Sequence, residues 1–175
     1  RVSRRRHFVP KQASLRGRAL MESSFLAHAT PSVLRSKADV IVAVTPSLAG
    51  LGAAAAGRRG RPLGVVLQDI TGGAAEQTGA GSRVGGAISS AERRLLVGAD
   101  RVGVISREFV KPLVDMGVDE DRIAHVPNFT HISQVQATAA EARRHLGWRD
   151  DRFMVVHTGN MGAKQGLHHV IDAAR

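Results

Sequence analysis

The sequence predicts an α/β fold, a Rossmann-like parallel sheet with helices on both faces. Three observations carry this. Short continuous runs of β-branched and aliphatic residues recur along the chain, capped helical patterns alternate with them, and the connections between are short. Such runs suit strands buried on both sides, which parallel sheets require.

The elements follow in order. Residues 14–28 form a mixed but amphipathic helical pattern through Ala19, Leu20, Phe25 and Leu26, and Pro31 is expected to interrupt it. Residues 39–44 form the first strand. Thr45-Pro46 then reads as a helix start, with a capping hydroxyl and a proline at the first position. A small-residue helix runs to Ala56 and ends at Gly57 or Gly60. Residues 63–68 form the second strand, and the Gly- and Thr-rich residues 69–82 a loop. A helix over 88–97 precedes a third strand over 101–105. Ser106 caps a helix carrying Glu108 in its first turn, and Gly117 ends it. The fourth strand, 123–126, is stopped by Pro127.

A polar stretch at 128–137 then marks a domain boundary, dividing the chain into 1–130 and 131–175. Beyond it, Thr138-x-x-Glu141 is a capping box for a helix ending at Gly147. Residues 152–157 read as a fifth strand, standing outside the first sheet and opening a second Rossmann-like domain. The chain begins with arginine and ends about two turns into a helical pattern, so it reads as a piece truncated at both ends.

Composition narrows the function classes. Cysteine is absent, which excludes disulfides and thiolate metal sites. No apolar run approaches the length of a transmembrane helix. The net charge of +10 is uneven: residues 1–68 hold 12 Lys/Arg against Glu22 and Asp39, while residues 69–175 balance. The basic segment from Arg1 to Arg18 suits an anionic membrane surface, an acidic substrate or a targeting role, with a merely solvated surface as the bland alternative. Without an aromatic stacking platform or an RNP-like motif, nucleic acid is not expected as a partner.

The densest chemistry lies near the end, in His157-Thr158-Gly159-Asn160-Met161-Gly162-Ala163-Lys164-Gln165-Gly166. An apolar run breaking into glycines and one lysine before a helix suits a phosphate at a helix N-terminus. An ordinary strand-to-helix turn would look similar. Ligands of open parallel sheets sit beyond the carboxyl ends of the strands. The polar residues there are Gln68, Asp69, Ser106, Arg107 and Asn128, each with an ordinary turn or cap explanation. The eight histidines show no zinc spacing, and the adjacent pair His168-His169 makes a poor metal site, so no metal is expected. A nucleophile elbow and a Walker A loop are both absent.

The run Ala91-Glu92-Arg93, Gly98-Ala99-Asp100-Arg101-Val102 and Ile105-Ser106-Arg107, followed by Gly117-Val118, Arg122-Ile123 and Val126-Pro127-Asn128, resembles glycosyltransferase family 4. The Gly-Asn and Lys-Gln-Gly of the late loop, Val66-Leu67-Gln68-Asp69-Ile70 and the early Phe8-Val9-Pro10 resemble its exopolysaccharide, colanic-acid-type branch. The resemblance implies a GT-B fold, in which two Rossmann-like domains face each other. It implies transfer of a sugar from a nucleotide-diphosphate sugar to a polysaccharide or lipid-linked acceptor, typically with retention and without a metal or other cofactor. Gly159, Asn160, Gly162, Lys164, Gln165 and Gly166 would then belong to the donor site. Gln68, Ser106, Arg107, Pro127 and Asn128 would line the cleft, with Asp69 the candidate catalytic residue. Glutamine at position 68 cannot act as a general base. A cytoplasmic enzyme, peripheral at the inner membrane face, is the expected setting. A nicotinamide-dependent oxidoreductase and a non-enzymatic basic adaptor are the alternatives from other classes.

Overall fold

The computed structural model describes residues 2–12, 14–70, 82–159, 161 and 165–174. The chain divides into two compact units, Arg1–Thr130 and His131–Arg175. The glycine-rich loop expected over 69–82 falls largely outside the described residues.

The first unit runs α1 (Leu15–Arg35), β1 (Ile41–Val44), α2 (Leu48–Gly57), β2 (Leu63–Leu67), α3 (Ser82–Val97), β3 (Arg101–Val104), a 3-10 turn (Arg107–Phe109), α4 (Val110–Asp115), a second 3-10 turn (Glu120–Arg122) and β4 (Ile123–His125). All the strand pairs are parallel, in the order β1-β2-β3-β4. The expected parallel α/β sheet is therefore present, each strand within a residue or two of its expected bounds.

Register fixes the two faces. Ile41 and Ala43 stand beside Leu63 and Val65, and Val65 and Leu67 beside Val102 and Val104. This face meets Leu51 and Ala54 of α2, Leu96 of α3 and Leu113 of α4 in one core. The opposite face carries Val42 and Val44, which are 62% and 58% exposed. Helices on both faces were expected, yet in the described residues one face holds the core and the other is open at β1. The strand order gives the reason. Each crossover steps the same way along the sheet, and right-handed crossovers stepping one way place their helices on one side.

A second correction concerns Pro31, which lies inside α1 rather than ending it. Its missing N–H would leave a helical carbonyl short of a partner. The hydroxyls of Thr30 and Ser32 donate to Leu26 O (2.7 Å) and His28 O (3.4 Å) beside the defect. Packing on α2 supplies the rest. Gly50, Gly52 and Gly57 of α2 lie against Phe25, Leu26 and Val33 of α1, so the two helices run in the same direction at close approach.

At the N-terminal edge of the sheet, Asp100 holds β2 and β3 in register. Its Oδ2 accepts the Leu63 N–H and an Arg58 guanidinium N–H, both at 2.8 Å, and its own N–H donates to Leu63 O at 2.9 Å. The Leu63 N–H, aided by Arg58, holds the Asp100 carboxyl below its ordinary value. A depressed folded pKa stabilises the protein above the unfolded value, and that contribution disappears as pH falls through the folded one. Asp100→Asn should therefore be less stable than the parent at neutral pH, the gap narrowing as pH falls below the ordinary aspartate range and Asp100 becomes protonated. Urea unfolding of both proteins across that range measures it. A gap independent of pH would show that charge plays no part.

The second unit holds α5 (Ala139–Leu146) and α6 (Leu167–Ala173). The capping box is present, with Thr138 Oγ1 accepting Glu141 N–H and the Glu141 carboxylate accepting Thr138 N–H, and Gly147 closes α5 at φ 68°. The fifth strand expected over 152–157 does not form, and no residue of 153–158 joins a ladder. Phe153 and Val155 are exposed. An apolar run becomes a strand when a neighbouring strand pairs with it, and among the described residues no strand does.

Candidate functional site

The C-terminal edge of the sheet gathers the polar residues that follow each strand. Gln68 leaves β2 and Asn128 follows β4, with β3 between them. Their side-chain amides nevertheless meet: Gln68 Nε2 donates to Asn128 Oδ1 and Asn128 Nδ2 to Gln68 Oε1, both at 3.2 Å. The chain after β4 makes this reach possible. Val126 N–H donates to Val104 O at 2.8 Å, and Val126 lies across Gly103, where an added Cβ would sit 3.0 Å from its Cγ2. Glycine at 103 lets the segment cross β3 toward Gln68.

A buried hydroxyl supports the same edge. Thr45 Oγ1 accepts the Gln68 N–H at 2.9 Å and donates to Asp69 O at 3.5 Å, while Thr45 N–H donates to Val66 O at 3.0 Å. Thr45 is therefore a strut between the ends of β1 and β2, not the expected helix cap. That role falls to Ser47, whose Oγ accepts Gly50 N–H at 3.0 Å, and the Thr45–Pro46 peptide is cis. Glu22 of α1 adds a second cap, its carboxylate accepting Ala49 N–H at 3.0 Å. A polar residue closing an apolar run was the signal for Thr45. The partner of Glu22 lies 27 positions away and left no local trace.

The remaining expected residues separate into two groups. Asp69 and Pro127 are exposed at the same edge, with Asp69 fixed through its backbone carbonyl. Ser106 acts as the expected cap, accepting Glu108 N–H at 3.4 Å and donating to the Glu108 carboxylate at 2.7 Å, with Arg107 exposed beside it. Gly159, Gln165 and Gly166 belong to the second unit, where Gly159 adopts φ 140° and Gly166 starts α6 at φ 56°. Asn160, Gly162 and Lys164 lie outside the described residues. His168 and His169 place their rings 3.9 Å apart, and among the described residues no three His, Asp or Glu side chains gather as a metal site.

A shallow cavity of about 540 Å³ lies elsewhere, lined by Pro31, Leu34, Arg35, Ser36, Lys37 and Arg59. It sits where α1 and α2 end, opposite the strand ends. Its cations complement two helix C-termini, which accounts for them without a ligand.

Comparison with known proteins adds to the geometry. The family model of the glycosyl transferase 4-like domain matches residues 1–128. The chain is also 30% identical over 185 aligned positions to WcaI of Escherichia coli (strain K12), assigned as a glycosyl transferase of colanic acid biosynthesis. The alignment covers 95% of this chain and 44% of that relative, so the chain spans less than half the length of WcaI.

Proposed function

We propose, from the premise that this chain belongs to the glycosyl transferase 4-like family, that it forms the acceptor side of an enzyme moving a sugar from a nucleotide-diphosphate sugar to a polysaccharide or lipid-linked acceptor, with retention. The observation that carries this reading is the shared strand edge. Thr45 fixes Gln68 and Asp69 at the end of β2, and Asn128 is drawn to them from beyond β4. Backbone ties make the edge preorganised, which lowers the cost of orienting an acceptor hydroxyl. Asp69 supplies an exposed carboxylate to receive that hydroxyl's hydrogen bond, and the Gln68–Asn128 amides hold neighbouring hydroxyls.

The donor diphosphate is assigned to the second unit. Backbone N–H groups from Gly159 to Gly166, with the side chains of Asn160, Lys164 and Gln165, suit an oxyanion that gains charge as it leaves. The assignment of WcaI to colanic acid biosynthesis supports an exopolysaccharide product. Among the described residues no helix is long and apolar enough to cross a membrane. We place the enzyme in the cytoplasm, held at the inner membrane face through the segment from Arg1 to Arg18.

Turnover of nucleotide-diphosphate sugars by the full-length protein tests the reading. Asp69→Asn should lower kcat/KM about a hundredfold while leaving donor affinity intact. Lys164→Ala should weaken donor binding by about 1.5–3 kcal/mol. Binding of a nicotinamide dinucleotide, with no affinity for any nucleotide-diphosphate sugar, would replace it with the oxidoreductase alternative.

A further inference from the structure

We infer that Phe129 is a stacking platform for a pyranose ring of the acceptor, beside the Gln68–Asn128 amides that take the sugar's hydroxyls. That the sugar is an acceptor rests on the function proposed above. The recognition of a pyranose does not.

The first unit uses aromatic side chains sparingly. Phe8, Phe25, Phe109 and Phe129 are its only ones, with neither tyrosine nor tryptophan. Phe109 packs against the core, and Phe25 meets the His7 ring edge-on at 5.2 Å. Phe8 is half exposed, its N–H donating to Ser24 Oγ at 2.9 Å. Phe129 stands apart. It is 92% exposed, and among the described residues no aromatic ring lies against it.

The backbone that carries this phenyl is held on both sides of Pro127. Val126 N–H donates to Val104 O at 2.8 Å, and the Asn128 amide exchanges hydrogen bonds with Gln68 at 3.2 Å. Phe129 is the next residue, its Cα about 3.8 Å from that of Asn128. A pyranose is wider than that step, which puts the phenyl within one sugar of the amides. The side chain is thus rooted at the strand edge.

An exposed phenyl can be covered by apolar protein or by the face of a sugar. Apolar protein laid over Phe129 would also come down on Asn128, which is exposed, and on the half-buried Gln68. It would strip water from their remaining hydrogen-bonding groups and offer nothing in return. A pyranose brings both kinds of surface. Its C–H groups gather on a ring face and carry the partial positive charge that the negative face of a phenyl attracts. Its rim hydroxyls both donate and accept, as the amides do. A nucleotide base would stack as well, but its phosphates would approach the exposed carboxylate of Asp69, next to Gln68.

Saturation-transfer difference NMR on the full-length protein tests this with methyl β-D-glucopyranoside, methyl β-D-galactopyranoside and the acyclic polyol sorbitol. Transfer is expected to the ring C–H protons of the glycosides and not to sorbitol, which has hydroxyls without a ring face. Phe129→Leu, apolar but without a π face, should weaken glycoside binding about fivefold, and Phe129→Trp should restore it. Circular dichroism melts of both variants should match the parent, and uridine and guanosine diphosphates should bind all these proteins alike. A leucine variant that binds the glycosides like the parent, or no transfer to either glycoside, would overturn the platform. So would a leucine variant with a lowered Tm or a tryptophan variant without restored binding, as expected of a phenyl packed on protein. Loss of diphosphate binding on Phe129→Leu would overturn it in favour of a nucleotide base. Turnover of nucleotide-diphosphate sugars without glycoside binding through Phe129 would overturn the platform and leave the function standing. Glycoside binding through Phe129 without any such turnover would support the platform and remove the transferase reading.

Discussion

Replacing Arg61 by methionine is expected to lower stability by about 3 kcal/mol. Arg61 uses all five guanidinium N–H groups on backbone carbonyls. Nε donates to Arg58 O, Nη1 to Ser36 O and Ala38 O, and Nη2 to Val33 O and Gly57 O, at 2.8–3.2 Å. Those carbonyls belong to the ends of α1 and α2, where helical partners run out and the dipoles are negative. One cation therefore satisfies two helix termini and ties them together. Methionine keeps much of the stem and removes every donor. Lysine keeps the charge without the planar fork, so Arg61→Lys should recover less than half of the loss. Equilibrium urea unfolding measures both. A methionine variant within about 0.5 kcal/mol of the parent would show that water replaces the guanidinium at no cost.

Gly57→Ala comes next, with an expected loss of about 1–3 kcal/mol despite the better helix propensity of alanine. A Cβ at this position would lie 2.6 Å from Val33 Cβ and 2.8 Å from its Cγ1, so α1 would have to move away. Gly52 provides the contrast. Its nearest obstacle is Leu26 Cδ1 at 3.3 Å, the far end of a flexible side chain. Gly52→Ala should be neutral or stabilising by up to about 1 kcal/mol. Thermal melts of the pair separate steric closeness from propensity. The close-approach account fails if both alanines shift Tm in the same direction.

The sheet was legible because β-branched runs and caps are local signals. Residues 39–44, 63–68, 101–105 and 123–126 each announced a strand, and Thr138 with Glu141 announced a helix start. What escaped depended on partners distant in sequence. Pro31 is a breaker by local rules, yet α1 continues through it because α2 packs along the same helix. Residues 152–157 have the composition of a strand, yet among the described residues no other strand pairs with them. Thr45 looked like a cap because its strut role depends on Gln68, 23 positions ahead. Within the site, the residues at the strand ends followed from topology, but the joining of Gln68 to Asn128 across β3 did not. It depends on Gly103 yielding space to Val126, a pairing that no pattern encodes.

That joined amide pair sets an entrance condition for whatever comes to the edge. Each amide already satisfies the other with one donor and one acceptor. The exchange also leaves each amide a second N–H and a second oxygen lone pair, so the joined pair presents donors and acceptors together at the strand ends. A hydroxyl both gives and takes a hydrogen bond, and can meet such a mixed surface without separating the two amides.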